Sequence, residues 1–385
     1  MKKLTIAGLA ISLLFSSLAD AASINLGQAA EYNAFIQRDM KVSSADTQGK
    51  IAVGGNFIVK PHAYTSTPQG FSDSPTLEAS YTVGDMVHAP SVNSLVVGGN
   101  IELHQLGGLQ IHNTGIDHGK AVYAGKLING NQIGSGTAKN VATAALPVDF
   151  NAAFAHLNNL SNQLAAMTTP ATTTHNGVGT PLVFTPAAKS ADKVYVFDIS
   201  QEMLDKYDGL EVKGVESDAL VVFNITNKSG YTFQRLSDSN TNAQGKAFCT
   251  KGDKTCAVLK LESVKINGVS TTGDTSKDRN AVPLAKQVLF NFNGLSNVKL
   301  ASRVNGTVLA PKTALVAPSA PVWGQVIAQS WIGNAQINLA PLKPVNGTPP
   351  AVSTPPAWSL LLLALLLLLV LPRQRQTTPP KPAFA

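Results

Sequence analysis

The sequence predicts a mainly β protein, a β-solenoid with one flanking amphipathic α-helix and a short N-terminal helix. Three observations lead to this fold class. Gly and Pro are frequent and only 6% of the residues are aromatic, a composition that favours short strands joined by tight turns. A pattern of two short strands around a Gly-Gly-Asn corner occurs twice. One segment has the apolar spacing of an amphipathic helix.

The first predicted element is the short helix, over Gln28–Ile36, where Ala29, Tyr32 and Phe35 precede a loop at 41–49. An open stack of strands exposes unpaired backbone groups at its ends. A helix in this position could cover one end of the solenoid.

The two corners come next. Residues 51–59 read Ile-Ala-Val-Gly-Gly-Asn-Phe-Ile-Val, and residues 95–103 read Leu-Val-Val-Gly-Gly-Asn-Ile-Glu-Leu. Gly and Asn tolerate positive φ, and repeated sharp corners are typical of a coiled solenoid. Weaker copies follow at 121–128, 304–310 and 322–328. The spacing is irregular and gives no rung period, so a β-sandwich stays open as the alternative.

The flanking helix is predicted after Pro147, with Asp149 as its N-terminal cap. Its apolar residues recur at helical spacing and form one stripe, so one side should lie on the β body. The stripe consists of Phe150, Phe154, Leu157, Leu160, Leu164 and Met167. Further strands are predicted at 194–197, 220–225, 257–261, 288–292 and within 304–339.

Cys249 and Cys256 are the only cysteines. They bracket a Lys-Gly-Asp turn, and in an oxidising compartment they should form a disulfide that holds the tip of a hairpin. Two thiols with no nearby His supply too few ligands for a metal ion. No metal site is therefore predicted here.

The N-terminus has the features of a secretory signal peptide, residues 1–21. Lys2 and Lys3 precede an apolar stretch, and small residues at Ala19 and Ala21 fit cleavage between Ala21 and Ala22. The chain from residue 22 onward is then exported.

The C-terminal part predicts a tether and an anchor. A single adhesin-like domain, 22–342, is followed by a Pro/Thr/Gly spacer at 343–356, a hydrophobic anchor or sorting segment at 357–372 and a basic, Pro-rich tail at 373–385. The Leu-rich run reaches about 18 Å, short of the ~30 Å hydrocarbon core. Trp358 suits one interface, and Arg373 and Arg375 suit the cytoplasmic side. The membrane is thus a predicted partner, and the domain is placed at the cell surface, on the periplasmic face of the membrane or outside the cell.

Charge and motifs exclude several function classes. The net charge of +7 lies partly in the two ends, and no basic stripe with interleaved aromatics indicates nucleic acid. No nucleophile elbow or phosphate-binding glycine loop occurs. His104, His112 and His118 near Asp117 fit no compact ligand pattern, and Asp39, Asp46 and Asp85 read as turn residues. The expectation is therefore a chain with no catalytic activity and no cofactor.

Several motifs in order carry a family resemblance: Leu26-Gly-x-Ala-x-x-Tyr-Asn-x-Phe35, Gly49-Lys-Ile-Ala-Val-Gly-Gly-Asn56, Leu146-Pro-Val-Asp-Phe150 and Gly306-Thr-Val-Leu-Ala-Pro311. The chain resembles the choice-of-anchor A family, exported bacterial proteins that join an adhesin-like domain to different anchors. The resemblance implies a cell-surface adhesive β-solenoid. Residues 305–328 are also similar to the closing part of ice-binding β-solenoid domains, and the tail resembles a PEP-CTERM sorting signal in which Pro355-Pro356-Ala357 replaces Pro-Glu-Pro.

The leading functional prediction is a surface-anchored adhesin, or a structural protein of the extracellular matrix or biofilm, that binds a surface polysaccharide, the matrix or a host surface. The alternatives are an ice- or crystal-binding solenoid, although no Thr-x-Thr ladder is evident, and a polysaccharide-acting enzyme. The enzyme would need carboxylates or basic groups clustered in one groove.

Overall fold

The structure, a computed structural model, describes residues 24–64, 71–73, 78–89, 92–113, 118–232, 248–271 and 284–343, without the side chains of 62–64 and 71–73. Within these residues the chain forms mainly short strands. The helices are α1 (Phe150–Ala166), α2 (Gln201–Lys206) and 3-10 helices at Gly27–Glu31, Gly130–Gln132, Thr143–Ala145 and Ala285–Gln287.

Strands β1 to β15 precede α1. They are β1 (Ala34–Ile36), β2 (Met40–Val42), β3 (Ala45–Thr47), β4 (Ile51–Val53), β5 (Phe57–Val59), β6 (His62–Tyr64), β7 (Phe71–Asp73), β8 (Ala79–Val83), β9 (Leu95–Val97), β10 (Ile101–Leu103), β11 (Gly107–Ile111), β12 (Lys120–Tyr123), β13 (Leu127–Ile128), β14 (Ile133–Ser135) and β15 (Thr137–Asn140).

Strands β16 to β30 follow α1. They are β16 (Ala171–Thr174), β17 (Pro181–Pro186), β18 (Val194–Ser200), β19 (Gly209–Val212), β20 (Leu220–Thr226), β21 (Cys256–Leu259), β22 (Ser263–Ile266), β23 (Val269–Ser270), β24 (Val288–Asn291), β25 (Asn297–Leu300), β26 (Val304–Asn305), β27 (Thr307–Ala317), β28 (Val322–Trp323), β29 (Val326–Gly333) and β30 (Ile337–Asn338).

The strands wind into a three-sided coil of parallel rungs. Face A runs β15-β12-β9-β4-β1, then the first parts of β29 and β27, then β24, β20 and β18. Face B runs β13-β10-β5-β2, then the second parts of β29 and β27, then β25 and β21. Face C runs β14-β11-β8-β3-β30-β28-β26. The β-solenoid prediction is confirmed, and the sandwich alternative is wrong because consecutive strands lie on different faces and each pairs in parallel with a strand of the next rung, instead of forming two facing antiparallel sheets.

The rungs do not stack in chain order. A first coil winds outward from β1 to β15, and a second coil begins at β17 and winds back until β29 lies beside β1. Ala34 pairs with Val326, and Thr47 pairs with Ile337. The first and last rungs of the described chain are therefore neighbours in the middle of the stack.

Side chains close the seam between the two coils. The amide of Asn33 donates to Gly324 O at 2.7 Å, and Nε2 of Gln325 donates to Tyr32 O at 2.8 Å. Both residues are buried. A buried amide with several partners fixes position as well as satisfying backbone carbonyls that would otherwise be desolvated at a cost.

Alternation within each short strand decides what is core. In β4 the side chains of Ile51 and Val53 point into the coil, whereas Ala52 points outward toward α1. The same division holds for β1, where Phe35 faces α1. Each three-residue strand therefore points two side chains into the interior of the coil and one side chain outward.

The helix predicted after Asp149 is confirmed. Asp149 Oδ1 accepts from the N–H of Ala152 at 3.0 Å, and Phe154, Leu157 and Leu164 are buried. Near the C-terminal end of α1, Oγ of Ser161 donates to Asn291 Oδ1 at 2.7 Å. These contacts hold α1 along the outside of face A.

The predicted N-terminal helix over Gln28–Ile36 is wrong in its second half. Only Gly27–Glu31 is helical, as a 3-10 turn, and residues 34–36 form β1, paired with β29 and β4. Tertiary pairing outweighs local helix propensity here, because the Ala-Phe-Ile segment is hydrogen-bonded on both edges and buried. The segment consequently lies in the middle of the stack and covers neither end.

The predicted Gly-Gly-Asn corners stack directly on one another. Ile51 pairs with Leu95, which brings Gly54 next to Gly98. A Cβ on Gly98 would lie 2.3 Å from Gly54 O, closer than any side chain tolerates. Glycine is required at this corner because the backbones of successive rungs touch.

Candidate binding faces

Face A is covered. The outward residues of its central rungs pack against α1, and the ring of Phe35 stacks on those of Phe150 and Phe154 with centroids 5.6 and 5.3 Å away. Ala52, Val96 and other outward residues of this face belong to the same apolar cluster. Face A is a core layer and offers no binding surface over these rungs.

Face C of the first coil carries a polar row that none of the described helices or strands covers. Asp46, Thr82 and Gln110 are aligned by strand register, and Ser135 pairs with Gln110 after a one-residue register shift between β11 and β14; all four residues are partly exposed. Neighbouring strands lie about 4.8 Å apart. The row therefore presents hydroxyl, amide and carboxyl groups at close to this spacing.

Small side chains keep this polar row flat. Ser80 and Gly108 are register partners in a second outward position. A Cβ on Gly134 would lie 2.2 Å from the side-chain nitrogen of Gln110, so the Gln110 amide lies across the glycine. On the next rung the amide of Gln336 donates to Asp46 Oδ2 at 3.1 Å.

The interior beneath face C is also polar at one point. The hydroxyl groups of Thr47 and Tyr81 are 2.8 Å apart, and both residues are fully buried. Burial raises the pKa of Tyr81 far above its ordinary value. The pair stays neutral over the physiological range and supports the outer row without contributing charge to it.

Face B carries a different row, in which apolar and charged residues alternate. Glu102, Ile58, Lys41 and Ile332 succeed one another across four rungs, all partly exposed. Ile128, at the end of the row, is 41% exposed. A mixed row of this kind lacks the repeated hydrogen-bonding groups of face C.

Toward the second coil face B becomes covered. Gln201 of α2 bonds to both backbone groups of Val258, donating to its O at 3.1 Å and accepting from its N at 2.7 Å. Lys299, an outward position of β25, is only 1% exposed. Burial lowers the pKa of Lys299 from its ordinary 10.5 to about 8. The open part of face B is therefore confined to the rungs from β13 to β29.

The three histidines considered as candidate metal ligands each contact a different residue. His112 Nδ1 is 3.7 Å from Asp85 Oδ1, and His118 Nδ1 is 3.4 Å from Ser135 Oγ. His104 Nδ1 accepts from the N–H of Leu106 at 3.2 Å, and Asp117 lies outside the described residues. Among the described residues no three potential ligands come together to hold a metal ion.

The singled-out carboxylates have individual structural partners. Asp39 Oδ1 accepts from the N–H of Asn56 at 2.7 Å, Asp46 accepts from Gln336, and Asp85 faces His112. The three stand at different corners and on different strands. The structure does not bring them together as an acid/base pair.

Cys249 and Cys256 form a disulfide with an S–S distance of 2.04 Å. Its setting differs from the predicted hairpin tip, because Cys256 begins β21, which pairs in parallel with β25. Asp253 side-chain and backbone bonds, including Oδ1 with the N–H of Thr255 at 2.8 Å, shape the turn. The bond closes a corner loop that leads into a rung strand.

The remaining predicted site residues, Ala21, Ala22, Trp358, Arg373 and Arg375, lie outside the described residues. Among the helices that the structure does describe, none is long and apolar enough to cross a membrane. The signal cleavage and the C-terminal anchor stay predictions.

Sequence reasoning missed the polar row of face C. A signal was present, since Ala79–Val83 and Gly107–Ile111 alternate inward and outward residues in the strict period of two that marks a half-exposed strand. What the sequence could not supply was the register that aligns Thr82 with Gln110.

A family model described as "Putative Ice-binding-like adhesive domain" matches residues 25–339. The comparison with curated proteins finds no match.

Among solved structures, an ice-binding protein of the Antarctic ascomycete Antarctomyces psychrotrophicus is 13% identical, with 84% of this chain and 99% of that chain covered and a TM-score of 0.32. The ice-binding protein 1 domain of Shewanella frigidimarina is also 13% identical, covering 82% and 95%, with a TM-score of 0.32.

Proposed function

Because this chain belongs to the ice-binding-like adhesive domain family, we propose that it is an exported adhesin with no catalytic activity, which binds a surface through face C of its first coil. The finer predictions, a choice-of-anchor A protein with a signal peptide and a C-terminal membrane anchor, are part of this proposal. The observation that carries it is the polar row Asp46, Thr82, Gln110 and Ser135.

The chemistry of the row favours a hydroxyl-rich polymer as ligand. Hydroxyl and amide groups both donate and accept hydrogen bonds, and the row repeats them on successive rungs. A rigid row needs little ordering on binding, so weak contacts add up along an extended partner. A polysaccharide of the cell surface or the matrix has hydroxyl groups along its whole length.

The experiment compares two blocked faces in the full chain. Thr82→Arg places a long side chain in the row of face C, and Ile58→Arg does the same on face B as the matched control. Binding is measured to immobilised cellulose, chitin and alginate. We expect Thr82→Arg to weaken binding to at least one polymer by about tenfold or more, while Ile58→Arg binds as the unaltered chain does.

Loss of binding in Ile58→Arg alone would contradict the assignment to face C. Absence of binding to all three polymers would contradict the ligand class. In cells, unchanged attachment and biofilm after deletion of the gene would contradict the adhesin itself, and recovery of the intact chain from cytosol would contradict its export.

Ice or another crystal is the second candidate, favoured by the family description and by the flat, regularly spaced face. Against it, Asp46 and Gln110 occupy positions in the row where a threonine ladder would be expected. Thermal hysteresis and inhibition of recrystallisation by the full chain, both lost in Thr82→Arg, would establish ice binding over polysaccharide binding. The enzyme alternative would need carboxylates that work together in one groove, whereas Asp39, Asp46 and Asp85 bond to Asn56, Gln336 and His112, respectively.

A further inference from the structure

The two ends of the solenoid differ in how well the core is covered. At the end formed by β13, β14 and β15, the inward side chains of Leu127, Ile133 and Ala138 are only partly buried, and Ile128 beside them is exposed. Equivalent inward residues one rung deeper, such as Ile101 and Leu109, are fully buried. We call this rung the open end.

At the opposite end, formed by β17, β18 and α2, the core is covered. Its inward residues Tyr195, Phe197 and Leu204 are buried. Thr169 bonds to both backbone groups of Val196 on the outer edge of β18, with its N donating to Val196 O at 2.8 Å and its Oγ1 accepting from Val196 N at 2.9 Å. We call this rung the closed end.

Further contacts at the closed end serve the same purpose. Gln201 satisfies Val258 on β21, and Nδ2 of Asn227 donates to Cys256 O at 2.7 Å. Strand β16 pairs with the outer edge of β17. Solenoids need such terminal covers, since exposed strand edges and exposed core invite association.

At the open end the described residues supply no equivalent cover. Thr137 and Val141 donate their N–H groups to Gly119 and Tyr123 of the neighbouring rung. By the alternation of a parallel ladder, the backbone groups of Ala138 and Asn140 then point away from the stack. Strand β15 pairs with β12 alone among the described strands.

The charged residues near the open end indicate what kind of surface could cover it. Residues 118–148 contain Lys120, Lys126 and Lys139 and no acidic residue. Two open ends would therefore repel each other. The closed end offers carboxylates to these lysines, since Asp198 and Glu202 are exposed there, whereas Asp205 is buried and accepts from the hydroxyl of Tyr231.

We propose that copies of this chain associate end to end, with the open end of one solenoid seated on the closed end of the next. The contact covers the half-exposed Leu127, Ile133 and Ile128 and sets lysines against carboxylates. The outer edge of β16, which pairs on one side with β17, is the strand edge at the closed end that can lie beside β15. Because the two surfaces differ, the contact is heterologous and repeats into a filament.

The test places single cysteines at the two ends of the full chain. Thr137→Cys lies on β15 and Thr173→Cys on β16, and both positions are exposed. The two native cysteines are occupied in the disulfide. The variants, carrying tags of different mass, are mixed at low salt with a short bis-maleimide, and the products are separated by mass.

We expect a crosslinked pair that contains one copy of each variant, with little product from either variant alone. Its yield should fall several-fold between about 0.05 and 0.5 M salt, because exposed charges are screened. Lys126→Glu in the Thr137→Cys background should lower the yield in the same way. Ser80→Cys, on face C, is the matched control and should give no crosslink with either variant.

Crosslinking of Thr137→Cys to itself would show that two open ends meet and would overturn the proposal. Absence of the mixed product at low salt would overturn it as well, as would a Thr137→Cys product in cell envelopes that contains another, acidic polypeptide in place of a second copy. Failure of the polysaccharide assay leaves this result unaffected, since Thr82 lies on a face and not at an end.

Discussion

The side-chain Oδ1 of Asn56 accepts a hydrogen bond of 2.8 Å from the backbone N–H of Asn100, the equivalent residue one rung away. The relationship repeats, because Asp39 accepts from the N–H of Asn56 at 2.7 Å and Asn100 accepts from the N–H of Lys126 at 2.8 Å. Corner N–H groups turned out of the strand ladder thus find an acceptor in the preceding rung. The side-chain ladder fixes the register of four successive corners.

Removing one acceptor from this ladder should destabilise the first coil. In Asn56→Ala the N–H of Asn100 loses its partner, and we expect the free energy of unfolding to fall by about 1–2 kcal/mol. Urea unfolding followed by circular dichroism measures it. Asn131→Ala, at an exposed position beside the open end, is the control and should change stability by less than about 0.5 kcal/mol. Equal effects of the two substitutions would show that the ladder contributes nothing.

The glycines of the same corners should tolerate substitution far less than a glycine at an outward position of face C. In Gly98→Ala the new Cβ meets Gly54 O at 2.3 Å, a backbone atom that cannot move without shifting a rung. We expect a loss of about 3 kcal/mol, at the upper end for overpacking. Gly108→Ala is the control, because the nearest atoms to its Cβ are 3.9 Å away. Thermal unfolding measures the stability of both variants, and similar melting temperatures would contradict the close stacking of the corners.

Much of this architecture follows from local pattern, and the part that does not follow is long-range. The stripe from Phe154 to Leu164 predicts α1, and the Gly-Gly-Asn repeats predict stacked corners, since each signal lies within one segment. The pairing of Ala34 with Val326 joins residues almost a whole chain apart, and no local spacing indicates it. For the same reason the local pattern predicted a helix at Phe35, although this residue lies in a strand that is paired on both edges.

The candidate site divides in the same way. The outward position of Thr82 follows from alternation within Ala79–Val83, whereas its alignment with Asp46 and Gln110 depends on the insertions between rungs. The disulfide partners follow from being the only two cysteines, but their corner setting depends on the parallel pairing of β21. Whether a side chain points inward or outward can be predicted from the sequence of one strand. The register between rungs depends on contacts between segments that are far apart in the chain.

Replacing Gln325 should destabilise the seam between the two coils. Its Nε2 donates to the carbonyls of Ala29, Ala30 and Tyr32, and its Oε1 accepts from Leu342 N at 3.0 Å. In Gln325→Met, a variant of similar size, buried carbonyls lose their donor, and we expect a loss of about 2–3 kcal/mol.

Hydrogen exchange measured by mass spectrometry should show where the Gln325→Met loss occurs. Protection should fall first in residues 27–36 and 337–343, next to the seam, while β9 to β12 keep theirs. Gln329→Met, at a half-exposed position of β29, is the matched control. A uniform loss of protection over both coils would mean that the seam does not open as a separate unit.

Lys299 should make stability depend on pH in the alkaline range. Burial lowers its pKa from 10.5 to about 8 in the folded chain, so between about pH 8 and 10 the unfolded chain binds more protons and stability rises with pH. Below pH 8 the cost of the buried ammonium is present in full. Lys299→Met should therefore be more stable than the unaltered chain at pH 7, by about 1–3 kcal/mol, and the difference should shrink as the pH approaches 10.

Chemical unfolding at pH 7, 8, 9 and 10 measures this difference. Lys312→Met, on the exposed position of β27, is the control, and its stability difference from the unaltered chain should stay nearly constant over the same range. If Lys299→Met is instead the less stable chain at pH 7, the contacts of the ammonium outweigh the cost of burying it. The folded state would then favour the charged form, and the stability difference would change with pH in the opposite direction.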